Sequence, residues 1–183
     1  MKNVFTGILT FIFAFGFCFA AYAIHETKSA ETPVVMPGAD AGKVYEYIMK
    51  LKPYTAWELW PGKGKQYKGR EPHGALLTTY INDTAYDSVK KKKFMTDGAI
   101  IVKENYTADK NFVALSVMYK IKGYNPEAGD WFWAKYSPDG KVEASGKAKG
   151  CIGCHEKKKD NDYLYRRTEK ITGIFEMKEG IGQ

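Results

Sequence analysis

The chain is poor in the side chains that hold metals and make cross-links, with three cysteines and three histidines among 183 residues. So few thiols exclude a disulfide-stapled scaffold, and a chain of this length can bury a core without one. Internal repeats and low-complexity tracts are absent, so the length reads as one domain with tails. Long apolar runs are scarce too. The principal one, VFTGILTFIFAFGFCFAA (4–21), follows the positive Lys2 and precedes Ala21-Tyr22-Ala23. Small residues at the two positions a signal peptidase needs mark residues 1–23 as a secretory signal cleaved after Ala23. A run of this length retained as a membrane tether is the alternative. Cys18 lacks the small residue that precedes a lipidated cysteine.

Cleavage would remove Cys18 and Lys2 and lower the formal charge from +7 to +6. The expected location is therefore the periplasm, where a modestly basic protein can meet an acidic partner or an anionic surface. Nucleic acid is not an expected partner there. What is plentiful is aromatic: 15% of the residues are Phe, Trp or Tyr. That proportion suits a fold covering a large flat apolar ligand, and equally an aromatic core.

Residues 24–39, with Pro33 and Pro37, read as a flexible leader, and residues 40–175 as the folded domain, followed by a tail over 176–183. Asp40 is placed to cap a helix presenting Val44, Ile48 and Leu51 on one face and ending at Pro53. YTAWELW predicts a second short helical piece, and GKGKQYKGREPHG a basic glycine-rich loop. ALLTTYI (75–81) predicts a strand, and Asp83 a cap for a helix over TAYDSVKKKK closing near Asp97-Gly98. Lysines 90–93 then form a solvated helix end. AIIVKENY (99–106), FVALSVMYKIK (112–122), WFWAKYS (131–137) and KVEAS predict further strands, with TADKN, NPEAGD and SPDGK as turns. Connections this short favour antiparallel neighbours. The fold class expected is α+β, a predominantly antiparallel sheet with a few helices.

The motif that carries chemistry is CIGCH (151–155). On one helical turn, positions i, i+3 and i+4 share a face, so Cys151, Cys154 and His155 can all address one object. Two thiols can add to the two vinyl groups of a haem while the imidazole coordinates its iron, which is the signature of a single covalently attached haem c. A zinc site needs about four ligands, and only His25 and His73 remain to supply a fourth. A redox dithiol would sit at a strand-to-helix junction of a parallel βαβ unit, whereas this motif follows an antiparallel meander.

A small all-helical electron carrier would carry the motif near its N-terminus and a methionine ligand beyond it. Here the motif comes late, and only Met177 follows. In the order PHGALLTTYIND, AYDSV, DGAIIVKENY, GDWFWAKYSPDGK, CIGCH and NDYLY, the chain resembles the cytochrome P-460 family and its relative cytochrome c′-β over roughly residues 55–168. The resemblance implies a mostly antiparallel sheet, one c-type haem in a pocket against it, and often a homodimer. In hydroxylamine-oxidising members a strand lysine is bonded to the macrocycle, and the matching residue is Lys103. The gas-binding relatives use no such bond. Strand parity puts Ile101 and Lys103 on one face and Ile100, Val102 and Glu104 on the other, and a strand lysine that snorkels to solvent is the plain alternative for Lys103.

No methionine or histidine stands out as a sixth ligand, so an open or water-occupied iron is expected. His73, in EPHG, matches a place where relatives can keep a pocket residue that steers or protonates a ligand, though a turn histidine contacting solvent or backbone is the plain alternative. Glu143 and Glu104 are the nearest candidates for a proton-accepting base. The expected site is thus Lys103, His73 and Glu143 for reactivity, with Cys151, Cys154, His155 and Lys103 holding the haem and His155 on the iron. Three functions stay open: oxidation of hydroxylamine or nitric oxide with electrons passed to a redox partner protein, capture of nitric oxide without turnover, and electron transfer alone. The tryptophans at 57, 60, 131 and 133 are expected as core and haem-wall packing.

Overall fold

Alternating apolar and polar residues build a sheet here because each strand can bury one row of side chains against each of two layers. The computed structural model describes residues 34–91 and 93–165. The proposed signal, the leader up to residue 33 and the C-terminal tail with Met177 lie outside the described residues. Seven strands form one antiparallel sheet: β1 (Glu58–Leu59), β2 (Tyr67–Lys68), β3 (Leu76–Ile81), β4 (Ile100–Tyr106), β5 (Phe112–Lys120), β6 (Trp131–Tyr136) and β7 (Val142–Gly146). Their order is β1-β3-β4-β5-β6-β7, with β2 pairing on β3 beside β1. From β3 onward neighbours in sequence are neighbours in space, through short turns between β4 and β5 and between β6 and β7, and through α2 (Asp83–Lys90) between β3 and β4.

Register decides the two faces. Lys103 lies opposite Thr79 on β3 and Ser116 on β5, and Ile101 lies opposite Ile81 and Met118. Directly opposed residues point to the same side, so Ile81, Ile101, Met118 and Trp133 share a face with Lys103. That face is covered by α2 (Asp83–Lys90), by α3 (Lys149–His155) and by Tyr163 and Leu164, forming one core cluster. The opposite face, with Ile100, Val102, Val117 and Phe132, packs under α1 (Ala41–Glu46), which continues as a π-helical turn over Tyr47–Leu51. Among the described residues no helix is long and apolar enough to cross a membrane.

Asp40 caps α1, accepting from the Lys43 amide at 2.8 Å, and Val44 and Ile48 are fully buried beneath it. Leu51, expected on the same face, is exposed instead because the wider π turn rotates it away from the sheet. YTAWELW yields a single 3-10 turn, Tyr54–Ala56, and then β1, because Trp57 takes an extended backbone. The cap of α2 is Asn82, one residue before the expected Asp83. Its Oδ1 accepts from the amides of Ala85 (3.0 Å) and Ile100 (2.9 Å), and its Nδ2 donates to the Gly98 carbonyl (2.9 Å). One side chain thereby ties the helix start to the strand behind it. The helix ends at Lys90, short of the expected Asp97-Gly98.

Candidate functional site

The site grows from the end of α3. His155 closes that helix and is buried. Its Nδ1 is 2.6 Å from the Tyr163 carbonyl oxygen. A carbonyl can only accept, so Nδ1 carries the hydrogen and Nε2 keeps its lone pair. Burial, foremost, and the Lys103 charge hold the imidazole below its ordinary pKa, against the opposing effect of the Tyr163 bond. The ring is therefore a neutral, oriented donor of one nitrogen.

The carbonyl that orients it is itself tightly placed. Asp162 and Tyr163 both adopt left-handed backbone (φ 56° and 62°), which turns the chain back onto the helix. Asp162 is buried, and its carboxylate accepts from the Met95 amide (2.7 Å) and Lys120 Nζ (2.6 Å). Its own carbonyl receives the Trp131 indole N–H at 3.1 Å. The Tyr163 hydroxyl donates to the Glu127 carbonyl, and that of Tyr165 to the Cys154 carbonyl. This anchoring role of NDYLY was not visible in the sequence, although an Asn-Asp pair just past a helix was a signal for such a turn.

In front of His155 opens a cavity of about 1020 Å³, at the top of the ~300–1,000 Å³ range of small-molecule and cofactor sites. Leu77, Thr79, Ile101, Lys103 and Met118 from the sheet make its floor, while Cys154, His155, Leu164 and Tyr165 make one wall. The opposite wall is the loop from Gly69 to His73, and five cations, Lys63, Lys68, Arg70, Lys157 and Lys158, stand around it. The fold therefore brings His73, Lys103, Cys154 and His155 together from three separate stretches of chain.

Lys103 is partly buried, and desolvation draws its ammonium down to about 8. His73 is partly buried and held neutral, with its pKa lowered to about 3 by burial first and then by the charges of Lys103, His155 and Lys135. Its ring centroid is 6.1 Å from that of His155, with the planes at 86°. His73 stays on a turn, its amide bonded to the Arg70 carbonyl, and its side chain lines the cavity. Cys154 lines the cavity, whereas Cys151 is half-buried against the α3-side core, which raises its thiol pKa.

Two expected bases are not brought to the cavity. Glu143 sits on the edge strand β7, exposed and paired with Lys135 at 2.8 Å. Three strand spacings of roughly 4.8 Å separate β7 from β4, which is too far for a carboxylate to reach beside Lys103. Glu104 points to the other face, where it accepts from Tyr54 (2.9 Å) and Tyr106 (2.8 Å). Of the tryptophans, Trp60 lines the cavity and Trp133 stands 4.7 Å from the His155 ring, while Trp131 is core and Trp57 packs on the α1 side.

The arrangement fits a haem. A neutral imidazole offers one nitrogen, and two free thiols sit on the same helix. Leu77, Ile101 and Met118 give the floor an apolar part, and the cationic surround suits the acidic propionate edge. Trp133 also presents a buried indole N–H with no partner among the described residues. Among the described residues no three or more His, Cys, Asp or Glu side chains cluster as a metal cage. A family model described as Cytochrome P460 matches residues 52–166, the stretch that includes the whole sheet, the cavity and the CIGCH helix. The chain belongs to the cytochrome P460 family. Membership makes this a haem cytochrome and accounts for the antiparallel α+β fold. No curated protein matches the chain.

Proposed function

We propose that this cytochrome P460 family member is an exported mono-haem c-type protein that reacts with small nitrogen species such as hydroxylamine or nitric oxide. The observation that carries the reading is the cavity itself. It is a half-open space lined by His155 with its free Nε2, by Cys154 and by Lys103. Haem iron supplies an axial position for such ligands and a redox couple for their electrons.

The chain's own groups divide the work. Cys151 and Cys154 would hold the haem, each by adding its S–H across a vinyl C=C, the sulfur to one carbon and the hydrogen to its neighbour, so that nothing would leave and no oxidant would be needed. His155 provides the ligand, with Tyr163 fixing its rotation. Oxidising hydroxylamine also releases protons, and with Glu104 and Glu143 elsewhere the acceptor falls to Lys103. An amine titrating near 8 is about one-tenth free base at neutral pH. His73, held near 3, is a much weaker base. The basic surround gives an acidic redox partner protein a docking face.

The test is anaerobic oxidation of hydroxylamine by purified holoprotein with an artificial acceptor, alongside nitric oxide titration followed optically. Turnover that climbs with pH toward a limb near 8, and that loses this limb in Lys103→Met, supports the reading. A protein that neither consumes hydroxylamine nor forms a nitrosyl complex overturns it.

A further inference from the structure

We infer that His73 is the second axial ligand of the resting iron, so that the haem is clasped between two imidazoles and a small ligand must displace His73 to reach the metal. The inference deepens the haem reading above and rests on it.

Three observations converge. The first is position. His73 and His155 come from opposite walls of one cavity, the loop before β3 and the end of α3. The second is distance. Two imidazoles bound in trans to one metal, with metal–nitrogen bonds of about 2.0 Å, hold their ring centroids roughly 6 Å apart. The observed centroid separation is 6.1 Å. The third is the state of the ring. Within the described residues the loop's hydrogen bonds use the His73 backbone, whose amide donates to the Arg70 carbonyl at 3.2 Å, and no bond to the ring nitrogens is found. An imidazole that lines the cavity in this state has a nitrogen lone pair available to bind.

The loop that carries His73 is built to one shape. The Gly69 amide donates to the Ala75 carbonyl at 2.7 Å and closes its base. A side chain on Gly69 would collide with the Gly74 carbonyl and with Leu77. Gly74 itself has φ +116°, and a Cβ there would meet the Tyr106 carbonyl at 2.7 Å. Two glycines thus let the loop press onto the edge of the sheet and hold the ring facing His155. Arg70, Glu71 and Pro72 at the tip are exposed, so a competing ligand can push the ring outward without breaking the core.

The experiment is optical and electron-paramagnetic-resonance spectroscopy of ferric holoprotein, with His73→Ala and His73→Met beside the wild type. The wild type is expected low-spin, with the strongly anisotropic signal of imidazole planes set near perpendicular, as the 86° angle requires. His73→Ala should become high-spin and return to low-spin when imidazole is added. Carbon monoxide should bind its ferrous form at least ten-fold faster than it binds the wild type. His73→Met should stay six-coordinate with a raised potential. A high-spin wild type, or a His73→Ala that remains low-spin, overturns the assignment while leaving the haem intact. Should His73→Ala fail to fold, the wild-type signal with ¹⁵N-histidine decides: two coordinated imidazoles support the inference and one overturns it. Loss of covalent haem from the wild type would defeat the underlying reading instead, and is separately visible.

Discussion

Lys103 is the residue on which electrostatics and chemistry meet. Its ordinary pKa of 10.5 falls to about 8 through burial, so the folded state releases its proton before the unfolded state does. Below pH 8 both states are charged and the desolvation cost is fully present. Between pH 8 and 10.5 the folded state binds fewer protons and stability rises, and above 10.5 the cost is gone. Lys103→Met should therefore melt above the wild type at neutral pH, and the gap should shrink steadily as pH approaches 10.5. A gap independent of pH would show that the ammonium is solvated. At this scale much was legible. Cys151, Cys154 and His155 are named by local spacing, and strand parity correctly separated Lys103 from Glu104. The same parity disqualified Glu104 as a base beside Lys103, since its carboxylate faces two tyrosines. Glu143 failed for a different reason: parity gives a face but not the number of strands between two residues.

At the scale of elements, the segment after α3 matters more than its length suggests. The buried Lys120–Asp162 pair fixes the left-handed turn whose carbonyl orients His155. Removing one partner of a buried pair leaves the other charge unsatisfied, at a cost of about 3–5 kcal/mol. Asp162→Asn should lose stability of that order in chemical denaturation. It should also shift the iron reduction potential, because the hydrogen bond that makes the imidazole more basic loosens. Lys120→Met should lower stability with a smaller shift, since Asp162 keeps its bond from Met95. A potential unmoved by Asp162→Asn would separate the turn from the metal. Helices were the less legible elements. The cap of α2 moved to Asn82 because its side chain also serves Gly98 and Ile100, two partners that no local pattern contains. The π turn after α1 turned Leu51 outward, where a 3.6-residue period had placed it inward.

Among the described residues β3 to β7 pair in chain order, so that part of the sheet could be read from residue order, whereas β1 and β2 both pair on β3. The two faces then follow from alternation, one given to α1 and the other to the cavity. The far wall was hidden, because His73 reaches His155 across 82 positions of chain through a loop whose path depends on two glycines meeting distant carbonyls. An iron expected to be open thus acquires a candidate sixth ligand through tertiary contact. The account as a whole stands on one haem bonded through Cys151 and Cys154. Intact mass of the purified pigment, read with acidified-acetone extraction, tests this most directly. The expected mass is that of the processed chain plus one haem with no atoms lost on addition, and the colour should stay with the protein. A mass equal to the bare chain, or pigment that passes freely into the solvent, would contradict it.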